Sequence, residues 1–149
     1  MRVYLDNCCF NRPFDDQQQI RIKIEAEAKL FIQEKIKNKE IELVWSYILE
    51  YENSFNPFKE KRSAIQKWKA IANSDVQETE EIIARAESMV EFGVTPKDAL
   101  HVSCAIESNC DYFLSTDDKL LKRLASISSI KVMNPLRAAG EIDEYCNRH

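Results

Sequence analysis

Glycine and proline are scarce in this chain: two glycines, Gly93 and Gly140, and four prolines among 149 residues. So few breaking residues exclude a flexible linker, and there is no internal repeat or low-complexity stretch, so residues 1–149 read as a single domain. No apolar run approaches the ~20 residues that a membrane span requires, and the N-terminal segment lacks the apolar stretch of an export signal. The five cysteines, Cys8, Cys9, Cys104, Cys110 and Cys146, are odd in number and include no C-x-x-C pair. Without an export signal they read as reduced thiols rather than a disulfide set, which points to a cytoplasmic protein with no membrane partner. A strong charge of one sign is missing too. Against 21 Lys+Arg stand 25 Asp+Glu, a net charge of −4, which excludes the global positive field of a non-specific polyanion binder but leaves room for a local basic face.

What is present is the composition of a folded protein. Hydrophobic residues make up 44% and charged residues 31% of the chain. A chain of this length buries roughly 68–70% of its unfolded surface, enough for a core without staples.

Met1 to Asp6 reads as a short buried strand that stops at Asp6-Asn7 and enters a polar loop through Arg12-Pro13-Phe14-Asp15-Asp16. Residues 17–38 alternate like a strand at Ile20, Ile22 and Ile24. Their length, their Ala, Glu and Lys content, and the stripe Ile24, Ala28, Phe31, Ile32 predict a helix instead. Ile41 to Trp45 is a strand, and Ser46 is suited to cap a helix carrying Ile48, Leu49 and Glu50. A further helix starts at Pro57 with Ala64, Ile65, Trp68, Ile71 and Ala72 on one face; Asp75-Val76 is a weak strand or a loop. Thr79 to Phe92 is helical and closes at Gly93. Thr95-Pro96-Lys97-Asp98 has Thr to cap, Pro in the first turn and an acid at the third position, and it starts a helix that runs to about Ser108. Tyr112 to Leu114 is a buried strand, Asp117 to Ala125 a short helix, Ile130 to Met133 a last strand, and Asn134-Pro135 starts the terminal helix. Strands separated by helices imply a mainly parallel sheet in an α/β sandwich.

On that scaffold the acids fall at matching places. Asp6 ends the first strand, Glu50 lies one turn into the helix after the second, Asp98 opens a helix, and Asp117-Asp118 follow the Tyr112 strand. In a parallel sheet the strand ends and following helix starts share one rim, where open α/β sheets bind ligands. Carboxylates gathered there repel one another unless a cation lies between them, and oxygen donors suit Mg²⁺ or Mn²⁺. Such ions serve phosphodiester hydrolysis by activating water and neutralising charge on the phosphate.

The segments Tyr-Leu-Asp6-Asn7, Ser46-Tyr-Ile-Leu-Glu50, Pro96-Lys-Asp98-Ala-Leu-His-Val and Phe113-Leu-Ser115-Thr116-Asp117-Asp118-Lys-Leu resemble, in order and over nearly the whole chain, the four motifs of the PIN-domain family. The resemblance implies a three-layer α/β/α sandwich with a central, mainly parallel sheet. It implies a Mg²⁺- or Mn²⁺-dependent ribonuclease, with RNA as substrate and with the toxin of a VapBC-type toxin–antitoxin pair as one role, hence an antitoxin partner and a homodimer. Carried over residue by residue, it names Asp6, Glu50, Asp98 and Asp118 as the catalytic quartet, with Asp6, Asp98 and Asp118 as metal ligands. In the last motif the family usually reads Thr-x-Asp, so Asp118 is the better match and Asp117 an alternative ligand beside it. Asn7, Ser46, Ser115 and Thr116 are implied as supporting residues. The long Arg12–Asp16 segment and the extended first helix depart from the family pattern.

Each residue also has a plainer reading. Asp6 alone would cap a turn, Asp98 suits a helix dipole in any protein, Glu50 sits beside polar Tyr51-Glu52-Asn53, and Asp117-Asp118 would start any helix. Their joint order favours the site. His101, on an apolar helix, reads as a hydrogen-bonded core residue and is left out of the site. Cys8-Cys9 read as small buried hydrophobes, with a thiol switch as the rival, and Trp68 as core. Lys59, Lys61, Arg62, Lys67 and Lys69 form a basic helix that is either a solvated face or a phosphate-binding one. Two other functions compete with the nuclease. Phosphoryl transfer through Asp6 is weaker, because such sites resemble Asp-x-Asp and position 8 is Cys; a non-catalytic RNA- or protein-binding module on the same fold is the alternative.

Overall fold

The computed structural model describes residues 1–11 and 19–149. From the N-terminus the described elements are β1 (Arg2–Leu5), α1 (Asn7–Asn11), α2 (Ile20–Lys37), β2 (Glu42–Ser46), α3 (Tyr47–Ser54) and α4 (Lys59–Ile71). They continue as β3 (Ser74–Val76), α5 (Glu80–Val90), α6 (Pro96–Glu107), β4 (Tyr112–Leu114), α7 (Asp118–Leu124), β5 (Lys131–Met133) and α8 (Pro135–Arg148). The strands form one sheet in the order β3-β2-β1-β4-β5, parallel throughout, and helices cover both faces in an α/β/α sandwich.

Past their first residues, Arg2 and Glu42, β1 and β2 run buried and almost wholly apolar, as does β4, because a parallel sheet is covered on both sides. Val3, Tyr4 and Leu5 of β1 and Phe113 and Leu114 of β4 have no exposed surface. Tyr4 pairs in register with Val44 on one side and Phe113 on the other. Alternation then sends Tyr4 and Ser46 to the face covered by α6, where the Tyr4 hydroxyl meets Ser46 and His101. Trp45 points the opposite way, into an aromatic cluster with Phe10 of α1, which in turn packs against Trp68 of α4. Lys29 of α2 is fully buried over the Phe10 ring, 4.3 Å from its centroid.

After β1 the chain builds outward through β2 and β3, then crosses back to the other side of β1 for β4 and β5. The direction of winding therefore reverses between β1 and β4, and crevices that bind ligands open at the carboxyl ends of such strand pairs. Asp6 stands there, its backbone N–H donating to the Leu114 carbonyl at 2.9 Å, so the ladder extends up to the acid itself.

Local chemistry accounts for the helix ends. Ser46, Thr79 and Thr95 accept from the backbone N–H groups of Leu49, Ile82 and Asp98, as their positions lead one to expect, each cap worth about 1 kcal/mol. Gly93, at φ 87°, closes α5: its own N–H bonds the Val90 carbonyl and the next N–H, of Val94, bonds that of Met89.

Two expectations change and one open alternative is decided. The polar loop after Asp6 is the short helix α1, held by the Cys9 N–H donating to the Asp6 carbonyl at 2.9 Å; five residues are too few to show a period in sequence. The helix expected from Pro57 begins two residues later, at Lys59. Asp75-Val76 belongs to an edge strand, paired with β2. The segment Arg12–Asp16 and the start of the helix expected from residue 17 lie outside the described residues. Among the described residues no helix is long and apolar enough to cross a membrane, and all five cysteines are free thiols.

Candidate active site

Asp6 is buried at the end of β1 with both carboxylate oxygens held. Oδ1 accepts from the Asn7 backbone N–H at 2.7 Å, and Oδ2 accepts from the Ser115 hydroxyl, just past β4, at 3.0 Å. The Cys8 thiol is 3.5 Å from Oδ2. The same Ser115 oxygen accepts from the Asp117 N–H at 3.1 Å, and the Thr116 N–H reaches the Cys8 sulfur at 3.4 Å. The loop after β4 is thus shaped around the end of β1.

Two residues join Asp6 that the sequence reading passed over. Glu52 of α3 and His101 of α6 each bring a ligand atom to Asp6 such that the three atoms lie within 4.8 Å of one another. His101 Nε2 is 3.9 Å from Asp6 Oδ1 and hydrogen-bonded to Glu52 Oε1. Asn7 Nδ2 donates to the other Glu52 oxygen at 3.4 Å. On its far side, His101 Nδ1 lies 2.6 Å from the Tyr4 hydroxyl, which lies 2.6 Å from Ser46 Oγ. A carboxylate only accepts, so a neutral His101 in the metal-free protein carries its proton on Nε2 facing Glu52, with the Tyr4 phenol donating to Nδ1; an ion held by Nε2 would take that proton's place, and Nδ1–H would then donate to the Tyr4 oxygen. Burial holds the Tyr4 pKa well above the ordinary phenol value, so the phenol keeps its own proton. His101 is the buried, hydrogen-bonded residue expected, and one of its two nitrogens also faces the site.

Asp98 opens α6 at the rim, half-buried. Its pKa is raised above the usual carboxylate value, chiefly by burial and further by the negative charges of Asp6 and Asp117, against the pull of Thr95 and His101. Acids crowded in this way are short of positive charge.

The other expected residues take different places. Glu50 does not turn toward Asp6: its carboxylate accepts from the Trp45 indole at 3.0 Å and from Gln66 at 2.9 Å, with Lys69 at 3.6 Å. The cause is helix phase. Glu52 follows Ile48 by four residues and the fully buried Leu49 by three, so it shares their inward face, and Glu50 does not. That stripe is the signal that could have singled out Glu52, as the three-residue step from Asp98 could have singled out His101. Asp118 is exposed and bound through both oxygens to Arg21 of α2, at 2.7 and 2.8 Å, which lowers its pKa. Asp117 caps α7, accepting from the N–H groups of Lys119 and Leu120, and it is the member of the pair whose charge acts on Asp98.

Two carboxylates and an imidazole, with Asp98 beside them, are a donor set that suits a divalent cation of the Mn²⁺ or Mg²⁺ type, the imidazole favouring Mn²⁺.

No protein-family model matches the chain, and no curated protein matches it by sequence. Solved structures do match. A chain of VapBC2 from Rickettsia felis, in a crystal structure bound to a DNA fragment from the promoter, is 14% identical over 90% of this chain and 98% of its own, with a TM-score of 0.56. A chain of VapBC-1 from nontypeable Haemophilus influenzae is 16% identical over 91% and 98%, with a TM-score of 0.57. One from a toxin–antitoxin complex of Klebsiella pneumoniae is 15% identical over 89% and 97%, with a TM-score of 0.55. The chain therefore has the fold of these VapBC proteins, and that α/β/α fold agrees with the one its resemblance to the PIN-domain family implies.

Proposed function

We propose that this protein is a divalent-metal-dependent ribonuclease that hydrolyses RNA phosphodiester bonds at the carboxyl edge of its sheet. The observation that carries the reading is the convergence of Asp6, Glu52 and His101, three residues from three separate elements, within 4.8 Å at the topological switch point. Asp6, Glu52 and His101 would hold the ion, with Asp98 and Asp117 completing the acidic rim. When bound, Mg²⁺ or Mn²⁺ supplies Lewis-acid chemistry and a water of lowered pKa.

The chain's own groups do the positioning. Ser115 and the Asn7 N–H fix the two oxygens of Asp6, and Asn7 Nδ2 steadies Glu52. Tyr4 and Ser46 hold the imidazole plane. Asp98, its pKa raised, is the acid on the rim best suited to take a proton from water or return one to a leaving oxygen.

The three fold neighbours named above, chains of VapBC and toxin–antitoxin complexes, support a toxin role and an antitoxin partner. Expression should then arrest growth, and a co-expressed antitoxin should relieve the arrest.

The reading is tested by titrating Mn²⁺ calorimetrically into metal-stripped protein and by following cleavage of an unstructured RNA. Binding and cleavage should both be lost in Asp6→Asn and Glu52→Gln. Cleavage retained in clean preparations of both variants overturns the assignment. Cation binding with no cleavage of any RNA supports the non-catalytic module instead.

A further inference from the structure

One surface beside the acids has no part in holding them. Tyr51 of α3 and Phe55, the residue that caps its C-terminus, lie one turn apart, 54% and 68% exposed, edge to face with centroids 4.9 Å apart. Phe58, just before α4, is 60% exposed, and the Lys61 ammonium lies 4.5 Å above its ring. Scattered surface aromatics need no explanation, but three within eight residues do. Phe55 follows Glu52 by three residues, so the aromatic edge borders the face of α3 that holds the site carboxylate.

The charge around these rings is local. Helix α4 carries Lys59, Lys61, Arg62, Lys67 and Lys69 against Glu60 alone, in a chain whose net charge is −4. Lys69 is engaged by Glu50 and Asp75, at 3.6 and 3.9 Å. Lys59, Lys61 and Arg62 stand at the other end, next to the rings, and Arg62 ties down the turn by donating to the Asn56 carbonyl at 2.9 Å. Exposed ring faces among cations are what a single nucleic-acid strand requires: bases stack on aromatics and phosphates meet Lys and Arg. Aromatic rings suit a protein interface as well, but interface cores are depleted in Lys, and here Lys59 and Lys61 stand beside the rings. A duplex fits no better, since its bases are already stacked.

We infer that Tyr51, Phe55 and Phe58, flanked by Lys59, Lys61 and Arg62, form a stacking subsite for the unpaired bases of an RNA strand that enters the acidic centre. The inference rests on the nuclease reading and specifies its substrate class as unpaired RNA. Binding of a fluorescent, unstructured 12-nucleotide RNA is followed by anisotropy in EDTA, which prevents cleavage, alongside a duplex RNA and a separate cleavage assay with Mn²⁺. Phe55→Ala and Tyr51→Ala should each weaken single-strand binding by roughly 5- to 100-fold, the range of one lost stacking contact, while Phe55→Trp restores it. Lys59→Gln combined with Lys61→Gln should flatten the salt dependence of binding. Tyr51, Phe55 and Lys59 are exposed and Lys61 is half-buried, so melting temperatures should change little. Equal affinity of wild type and both alanine variants for the single strand overturns the subsite and, if wild type cleaves RNA, leaves the nuclease reading intact. Unchanged RNA affinity with lost capture of an antitoxin also overturns it, and reassigns the patch to protein docking. A wild type that neither binds nor cleaves RNA removes both readings.

Discussion

Tyr4 and His101, 97 residues apart, are joined by a 2.6 Å hydrogen bond between the phenol oxygen and Nδ1. The phenol belongs to the central strand, is fully buried and stacks on Phe113, centroids 5.6 Å apart, so it is anchored in the sheet. Through it the sheet sets the orientation of an imidazole whose other nitrogen faces Glu52. Tyr4→Phe keeps the ring and removes the hydroxyl. It should cost about 1–3 kcal/mol of stability, because Ser46 and Nδ1 each lose a buried partner. Affinity for Mn²⁺ should fall about 10- to 100-fold, the usual effect of losing a group that orients a ligand. Urea unfolding and calorimetric titration read the two effects separately; a stability loss with unchanged Mn²⁺ affinity would show that His101 is only structural.

Glu50 and Glu52 give a paired test. Glu52→Gln should abolish cation binding and cleavage. Glu50→Gln should leave both within a few-fold of wild type and cost about 0.5–1.5 kcal/mol through its contacts with Trp45 and Gln66. The reverse pattern, with Glu50→Gln inactive and Glu52→Gln active, would restore the sequence-based assignment.

That pair also marks where a sequence stops being readable. Ser46, Thr95 and the apolar strands were legible because caps and buried strands are decided by neighbouring residues. The choice between Glu50 and Glu52 is decided by how α3 is rotated against the sheet. There the Trp45 indole draws in one acid while Ile48 and Leu49 carry the other inward. His101 read as core because its stripe is core; nothing local shows that one nitrogen reaches a carboxylate 49 residues away. Asp118 was chosen by motif spacing, and the guanidinium that holds it outward comes from α2, 97 residues earlier.

Asp98 predicts a pH dependence of the metal-free protein. Its pKa is raised in the folded state, so between the unfolded carboxylate value and that raised value the native state binds more protons. Stability from this residue is therefore lost as pH rises through that window, and the full penalty stands above it. In EDTA, Asp98→Asn should be more stable than wild type at pH 7, and the advantage should vanish once the pH falls below the unfolded pKa. Thermal melts of both proteins across pH 3–8 measure the difference. An advantage that grows toward low pH would mean that the acids do not repel one another as placed. Added Mn²⁺ should reverse the order, stabilising wild type more than the variant.

Lys29 predicts the opposite slope at high pH. Its ammonium is fully buried, has no hydrogen-bond partner among the described residues and touches the Phe10 ring, and burial depresses its pKa to about 8. In the unfolded chain the value is about 10.4. Below pH 8 both states are protonated and the native state carries the whole cost of burying the charge. From there to about pH 10.4 the unfolded state binds more protons, so this residue's contribution rises with pH. The shift corresponds to about 3 kcal/mol, part of it offset by the cation–π contact. Lys29→Met fills a similar volume without the charge. It should gain about 1–3 kcal/mol at pH 7 in urea unfolding, and the gap should narrow steadily up to pH 10. A gap of constant size across that range would show that the amine reaches water, and that the aromatic cluster around Phe10 opens in solution.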